Sequence, residues 1–317
     1  MAAGAPTDGR GHVSRALAVA GELSRAGANV ELELHRGSPT AIDRERMAAG
    51  HLRLVEPDDA GTPVPDAVVL DLPDLAGAAS RFDPGRLVVF DDGGTFAGRA
   101  AIVIQPSLPD WSGPGSVGRI LAGYRYAPIA AAYRRLRAAP DPGSGSGPES
   151  RARVLVCFGG SDPADVLGRI GPSLTTDPRW TVEVVVGSGY EGAADAWSTP
   201  LTRDPADLPE RLARADLAVI GAGTMKFEVA CLGRPAILLA VADDQLDVAP
   251  VYARTGAADY LGDGRTTNPD GIRSAVARLL ADGPGRAAMA ATAAGLIDGE
   301  GAARIAVAIL DLIAGGS

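Results

Sequence analysis

The chain has 317 residues, of which 46% are hydrophobic and 22% charged, and its formal net charge is −9. Those proportions exclude an intrinsically disordered chain. The acidic balance, without any dense basic run, excludes a nucleic-acid-binding surface.

No run of about 18 apolar residues is present to span a bilayer. No signal peptide precedes the first motif, so the cytoplasm is the expected compartment. The length allows two domains of ordinary size. Aromatic residues make up only 4%, so a core of Val, Leu, Ile and Ala is expected, as in buried parallel strands and their covering helices.

Residues 1–5 are expected to form a shortened first strand. Gly9-Arg10-Gly11-His12 follows, a glycine turn leading into a helix with Val13, Leu17, Ala20 and Leu23 on one face and Gly27 as its C-cap. Glycines at such a turn let the backbone approach a ligand, and imidazole is the side chain best suited to moving a proton near neutral pH. The competing reading of His12 is a solvent-facing turn residue. Strands are predicted at 30–34, 68–71, 87–91 and 101–104. Asp71 ends one of them, and Asp91-Asp92-Gly93-Gly94 follows another. Either a polar turn or a carboxylate that positions a reactive group fits these places, and spacing alone does not choose.

Residues 139–150 read APDPGSGSGPES and carry no apolar periodicity. They are the expected linker between an N-terminal domain at 1–138 and a C-terminal domain at 151–317, with the last helix expected to pack back on the first domain. Beyond the linker the alternation restarts, with strands predicted at 154–158, 182–186, 217–220 and 236–241. The fold class is therefore α/β, with two Rossmann-like domains whose loops line an interdomain cleft.

Three loops of the second half follow strands and carry polar or glycine residues. Cys157-Phe158-Gly159-Gly160-Ser161-Asp162-Pro163 reads as a strand-to-helix turn, with Asp162 as N-cap and Pro163 at the first helical position. It suits either a plain turn or a contact to phosphate or sugar. Ile220-Gly221-Ala222-Gly223-Thr224 offers backbone N–H groups and a hydroxyl suited to a diphosphate, and Glu228, one turn on, is placed for ribose hydroxyls. Lys226, the only lysine, is expected to be exposed and unpaired, since the dipole penalty at a surface helix start is small. Asp243-Asp244-Gln245 matches sugar hydroxyls in hydrogen-bonding capacity, and Gly11 on the other half is a further sugar contact. The expected site contains no metal. Cys157 and Cys231 sit in apolar contexts as buried free thiols.

In order, GRGHVSRALAVAGEL, VVFDDG, GYRYAPI, VLVCFGGSDP, LARADLAVIGAGTMKFEVACLGRPAILL, ADDQ and DGEGAARIA resemble the UDP-sugar hydrolases of the pseudaminic acid pathway and the related spore coat polysaccharide biosynthesis proteins. More distantly they resemble the GT-B glycosyltransferases.

The resemblance implies a GT-B fold and a UDP-sugar substrate held mainly by the C-terminal domain, without a cofactor or an obligatory metal. It matches His12 to the catalytic histidine; Asp71 and Asp92 are the carboxylates expected, from their places after strands, to assist it. Gly159, Gly160, Gly223, Thr224 and Glu228 match nucleotide-binding positions and Gln245 a residue near the sugar; Ser161 and Gly221 are expected beside the nucleotide, and Asp244 and Gly11 beside the sugar. Two positions depart from the hydrolase pattern: Asp71-Leu72-Pro73-Asp74 lacks its tyrosine, and Ala130 replaces its arginine after GYRYAPI. Hydrolysis at the anomeric carbon is the leading expectation. Transfer to a small-molecule acceptor is the alternative, followed by nucleotide-sugar binding without turnover. A nicotinamide dehydrogenase is disfavoured because GAGT lacks the third glycine of that fingerprint. The oligomeric state is left open.

Overall fold

The computed structural model describes residues 2–3, 11–35, 41–50, 52–54, 64–72, 75–115, 117–137, 151–162, 164–192 and 197–315. Gly9, Arg10, Pro73, Asp74, Pro163 and the expected linker at 139–150 lie outside them. The chain divides into two units, 1–130 with 299–317, and 131–298. The boundary expected at 138 thus shifts, because the helix at 131–137 groups with the second unit and the end of the chain with the first.

In the first unit, β1 (Ala2–Ala3) is followed by helix α1 (Gly11–Arg25), β2 (Glu31–Leu32), β3 (Leu34–His35), α2 (Ala41–Ala49) and β4 (Arg53–Leu54). Gly27, at φ +91°, ends α1: its N–H bonds to Ser24 and that of Ala28 to Leu23, the paired bonds of a Schellman cap. The strand expected at 30–34 is two short pieces with different parallel partners, β2 on β4 and β3 on β1. Next come β5 (Val68–Leu70), α3 (Leu75–Ala79), β6 (Leu87–Phe90), β7 (Ala100–Gln105) and β8 (Val117–Ala122), with β5 to β8 forming a parallel sheet in that order. Side chains of β6 alternate between two cores. Val88 and Phe90 join Val19 and Leu23 of α1, while Leu87 and Val89 join Leu70 and Val103.

The second unit runs α4 (Ala131–Arg137), β9 (Ala152–Cys157), α5 (Val166–Thr175), β10 (Trp180–Val186), β11 (Leu201–Arg203), α6 (Leu208–Arg214), β12 (Leu217–Gly221), α7 (Met225–Cys231), β13 (Ala236–Ala240), α8 (Asp244–Ala253), β14 (Asp259–Asp263), α9 (Pro269–Ala281) and α10 (Gly283–Leu296). Its six strands are parallel in the order β11-β10-β9-β12-β13-β14. Ile170 and Leu174 of α5 and Ile272 and Val276 of α9 pack on Val154, Val156, Leu217 and Val219.

The last helix, α11 (Gly301–Gly315), returns to the first unit. It buries Ile305 and Ile309 against Val88, Ile104 and the apolar face of α1. Its approach requires Gly301, since a Cβ there would lie 2.1 Å from the carbonyl oxygen of Ala127.

Candidate functional site

In the first unit, α1 starts at the rim of the β5–β8 sheet and carries His12 and Arg15 three residues apart on one face. Asp71 directly follows β5, and Asp92 lies two residues beyond β6. Arg15 joins them. Its Nε and one terminal nitrogen donate to the two oxygens of Asp71, and its other terminal nitrogen donates to Asp92. The guanidinium carbon stacks 4.9 Å from the centre of the Phe90 ring. Arg15 is 3% exposed and Asp71 1%.

The Nδ1 atom of His12 lies 2.5 Å from Asp71 Oδ1, with the His12 side chain 21% exposed. Burial alone would raise the Asp71 pKa, but the charge of Arg15 and the hydrogen bonds from Arg15 and His12 hold it below the usual carboxylate range. Burial likewise opposes the charge on Arg15, and the two aspartates overcome it and raise the guanidinium pKa. An ionised carboxylate only accepts, so at 2.5 Å the proton between the groups belongs to His12 Nδ1. The 3.0 Å approach of Arg15 Nη2 to the same nitrogen follows from both donors converging on one oxygen. In the neutral imidazole, a proton on Nδ1 leaves the Nε2 lone pair as a proton acceptor.

The structure thus brings His12, Asp71 and Asp92 together, with Gly11 beginning the same helix. Arg15, their common partner, carried no sequence assignment. Its signal was the i, i+3 spacing from His12 in GHVSR, whose arginine turns inward. Asp91 differs from Asp92: its carboxylate accepts the N–H groups of Thr95 and Phe96, each at 3.0 Å, and staples the loop after β6.

In the second unit the strand order reverses between β9 and β12. Loops after strands that diverge at such a point sit side by side at the carboxyl ends of the sheet, where ligands of open α/β sheets bind. Ile220 pairs with Cys157 there, so the loops holding Gly159, Gly160 and Ser161 and Gly221, Gly223 and Thr224 are neighbours. Gly159 takes φ +86°. Gly160 is met closely by Gly187, where a Cβ would stand 2.3 Å from the Gly160 oxygen.

The start of α5 differs from expectation. Asp165, not Asp162, is its N-cap, accepting from Gly168 N–H at 3.1 Å. Asp162 adopts φ +45° and accepts the N–H groups of Val166 at 3.1 Å and Leu167 at 2.7 Å. Two carboxylates therefore occupy this helix start and disfavour a phosphate on it.

The second glycine loop has the opposite character. Lys226 is 3% exposed, which corrects the expectation of an exposed, unpaired lysine. Its ammonium donates to the carbonyls of Ala222 at 3.0 Å and Gly223 at 3.1 Å and lies 4.2 Å from the centre of the Phe227 ring. The oxygen and hydrogen of a trans peptide point opposite ways. With both carbonyls drawn to Lys226, the N–H groups of Gly223 and Thr224 face away from it. Neither donates to a protein acceptor among the described residues.

Glu228, 9% exposed, lies half a turn further along α7. Gln245 bridges toward this loop: its Oε1 accepts the Val241 N–H at 3.0 Å, and a Cβ on Gly223 would stand 3.3 Å from its Nε2. Asp244 is exposed at the start of α8. Both cysteines are buried free thiols. Among the described residues no three His, Cys, Asp or Glu side chains form a metal-holding group, and no helix is long and apolar enough to cross a membrane.

No family model matches the chain. It is 35% identical over 217 residues to the UDP-N-acetylglucosamine–N-acetylmuramyl-(pentapeptide) pyrophosphoryl-undecaprenol N-acetylglucosamine transferase of Acidiphilium cryptum (strain JF-5), covering 63% of this chain and 57% of the relative. It is 25% identical over 170 residues to the spore coat polysaccharide biosynthesis protein SpsG of Bacillus subtilis (strain 168), covering 50% of each. The chain thus spans about half the length of the curated relatives it matches.

The structure of Acinetobacter baumannii MurG superposes with a TM-score of 0.60 at 17% identity, over 98% of both chains. A spinosyn rhamnosyltransferase, SpnG, complexed with thymidine diphosphate, does so with a TM-score of 0.56 at 16% identity, over 97% of this chain and all of that one. The likeness establishes the fold: two parallel-sheet Rossmann-like units of the GT-B glycosyltransferase type. The relatives also correct the leading expectation of hydrolysis. The first is a transferase by name and the matching structures include glycosyltransferases, which favours the alternative of sugar transfer over hydrolysis.

Proposed function

We propose that the chain is a glycosyltransferase that moves a sugar from a nucleoside-diphosphate donor, a UDP-sugar by analogy with the named transferase relative, to a hydroxyl of a small-molecule acceptor. The observation that carries the reading is the His12–Asp71 pair, which leaves one imidazole nitrogen free to take a proton. In the reaction, His12 Nε2 accepts the acceptor hydroxyl proton while that oxygen bonds to the anomeric carbon. The bond from that carbon to the diphosphate oxygen breaks, and its electron pair leaves with the nucleoside diphosphate.

The second unit is assigned the leaving group. The outward N–H groups of Gly223 and Thr224, with the positive charge of Lys226 behind them, stabilise the charge that develops on the diphosphate. Gly159, Gly160, Ser161 and Gly221 let the backbone approach the nucleotide. Glu228 accepts from the ribose hydroxyls, and Gln245, Asp244 and Gly11 contact sugars. Asp71 and Asp92 support the base without contacting substrate. No cofactor is assigned, and the free thiols fit the reducing cytoplasm.

His12→Ala tests the reading. Sugar transfer is expected to fall by a factor of about 10²–10⁴, the usual contribution of general base catalysis, with nucleoside-diphosphate affinity by calorimetry unchanged. A His12→Ala protein with full transfer activity would refute the assignment.

A further inference from the structure

We propose that Arg15 is the positioning residue of the proposed base: by holding both oxygens of Asp71 and one of Asp92, it confines the His12 proton to Nδ1 and keeps Nε2 free for the acceptor. The inference rests on the reading of His12 as a base and adds the group on which that base depends.

The geometry supports it at three points. First, the bonds from Nε and Nη2 engage the Asp71 carboxylate edge-on through both oxygens, the paired geometry that a planar guanidinium forms and an ammonium does not. This fixes the plane of the carboxylate and hence the direction in which Oδ1 receives His12. Second, Oδ1 is shared: Arg15 Nη2 and His12 Nδ1 both reach it and stand 3.0 Å apart. Any rotation of the guanidinium moves the histidine's acceptor. Third, the Phe90 ring beneath the guanidinium and Asp92 at its outer nitrogen prevent that rotation.

The charges give Arg15 a second consequence. Among the described residues, the groups facing His12 are Asp71 and Arg15, with Asp92 on the far side of Arg15 and the nearby Asp91 turned to backbone N–H groups. One cation serves two carboxylates, one of them almost fully buried. Without Arg15, a buried anion is left without its compensating charge, and the His12–Asp71 pair takes up a proton as a unit. Whether that proton resides on the imidazole or on the carboxylate facing it, Nε2 or Nδ1 is engaged differently and the free base is lost at neutral pH. Raising the pH removes the proton and restores the base.

The test uses the full-length protein with ¹⁵N-labelled histidine. The sequence contains three histidines, and the His12 signals are those missing from His12→Gln. In the wild type we expect His12 as the Nδ1–H tautomer with unprotonated Nε2. In Arg15→Met that pattern is lost at pH 7, and transfer falls at least a hundredfold and recovers on raising the pH. Nucleoside-diphosphate affinity stays within twofold of wild type. Arg15→Lys, which keeps the charge and guards against loss of fold in the Met variant, restores the neutral imidazole but not the full kcat. A role confined to stability would lower the melting temperature without altering the His12 spectrum or the pH profile. An unchanged His12 spectrum in a folded Arg15→Met protein overturns the inference, as does full kcat in Arg15→Lys or a wild-type His12 protonated on Nε2. If the spectra behave as expected but the wild type transfers no sugar, the transferase reading fails and the positioning role of Arg15 stands.

Discussion

Replacing Lys226 with methionine isolates the charge behind the second glycine loop. The substitution keeps the length of the side chain and removes two ammonium–carbonyl bonds, to Ala222 and Gly223. Hydrogen bonds to charged groups contribute about 1.5–3 kcal/mol each. Burying a lone ammonium costs several kcal/mol, and these effects oppose one another, so fold stability is expected to change by only about 1–2 kcal/mol.

Ligand binding has no such compensation. A phosphate oxygen accepting from the Gly223 N–H would lie roughly 8 Å from the ammonium, given ordinary peptide and hydrogen-bond lengths. At an effective dielectric of about 20, one unit of charge at that distance is worth about 2 kcal/mol, or roughly thirtyfold in affinity. Calorimetry with UDP, inorganic pyrophosphate and uridine reads the effect. Lys226→Met should weaken UDP and pyrophosphate by at least tenfold and leave uridine unchanged. Equal weakening of uridine and UDP, or no weakening of either, would refute the argument.

Asp71→Asn replaces a carboxylate that accepts on both oxygens with an amide that accepts on one, so a donor meets Arg15 Nε or His12 Nδ1. Transfer should drop by about 10²–10⁴ through loss of the base tautomer, with diphosphate affinity retained; a turnover assay with full activity would contradict this. The acid behaviour follows from the same carboxylate. Its folded pKa is depressed, so its contribution to stability is complete above its unfolded value near 4 and is lost as the pH falls through the folded value. Thermal melts should therefore be flat with respect to this group from pH 7 to 5 and decline below about pH 4, less steeply in Asp71→Asn. In the first unit, Gly301→Ala places a Cβ 2.1 Å from the Ala127 oxygen and 2.6 Å from its carbon. Backbone cannot yield as a side chain can, and a loss of at least about 1–3 kcal/mol is expected in denaturant titration.

The parallel sheets were legible because their central strands are nearly all apolar: Leu87–Phe90, Leu217–Gly221 and Ala236–Ala240 are buried along their length. Among the described residues four strands escaped sequence reading, Arg53–Leu54, Val117–Ala122, Leu201–Arg203 and Asp259–Asp263, and each is an edge of its sheet. An edge strand pairs on one side and tolerates charge, so it carries no apolar run to find. The glycine loops were visible as punctuation after strands. Their contrasting chemistry was not, because it depends on where Asp162 and Lys226 turn. A lysine near a helix start reads as exposed, and only the two carbonyls gathered around its ammonium account for its burial. Arg15 was hidden for a related reason: its partners, Asp71 and Asp92, are 56 and 77 residues away.

The most direct test of the account is to follow release of UDP from UDP-sugars in the absence and presence of candidate acceptor alcohols, with mass spectrometry of the sugar product. UDP is expected to appear in step with a glycosylated acceptor, and donor alone to be stable over the same period. Release of UDP and free sugar at the same rate without any acceptor would contradict it.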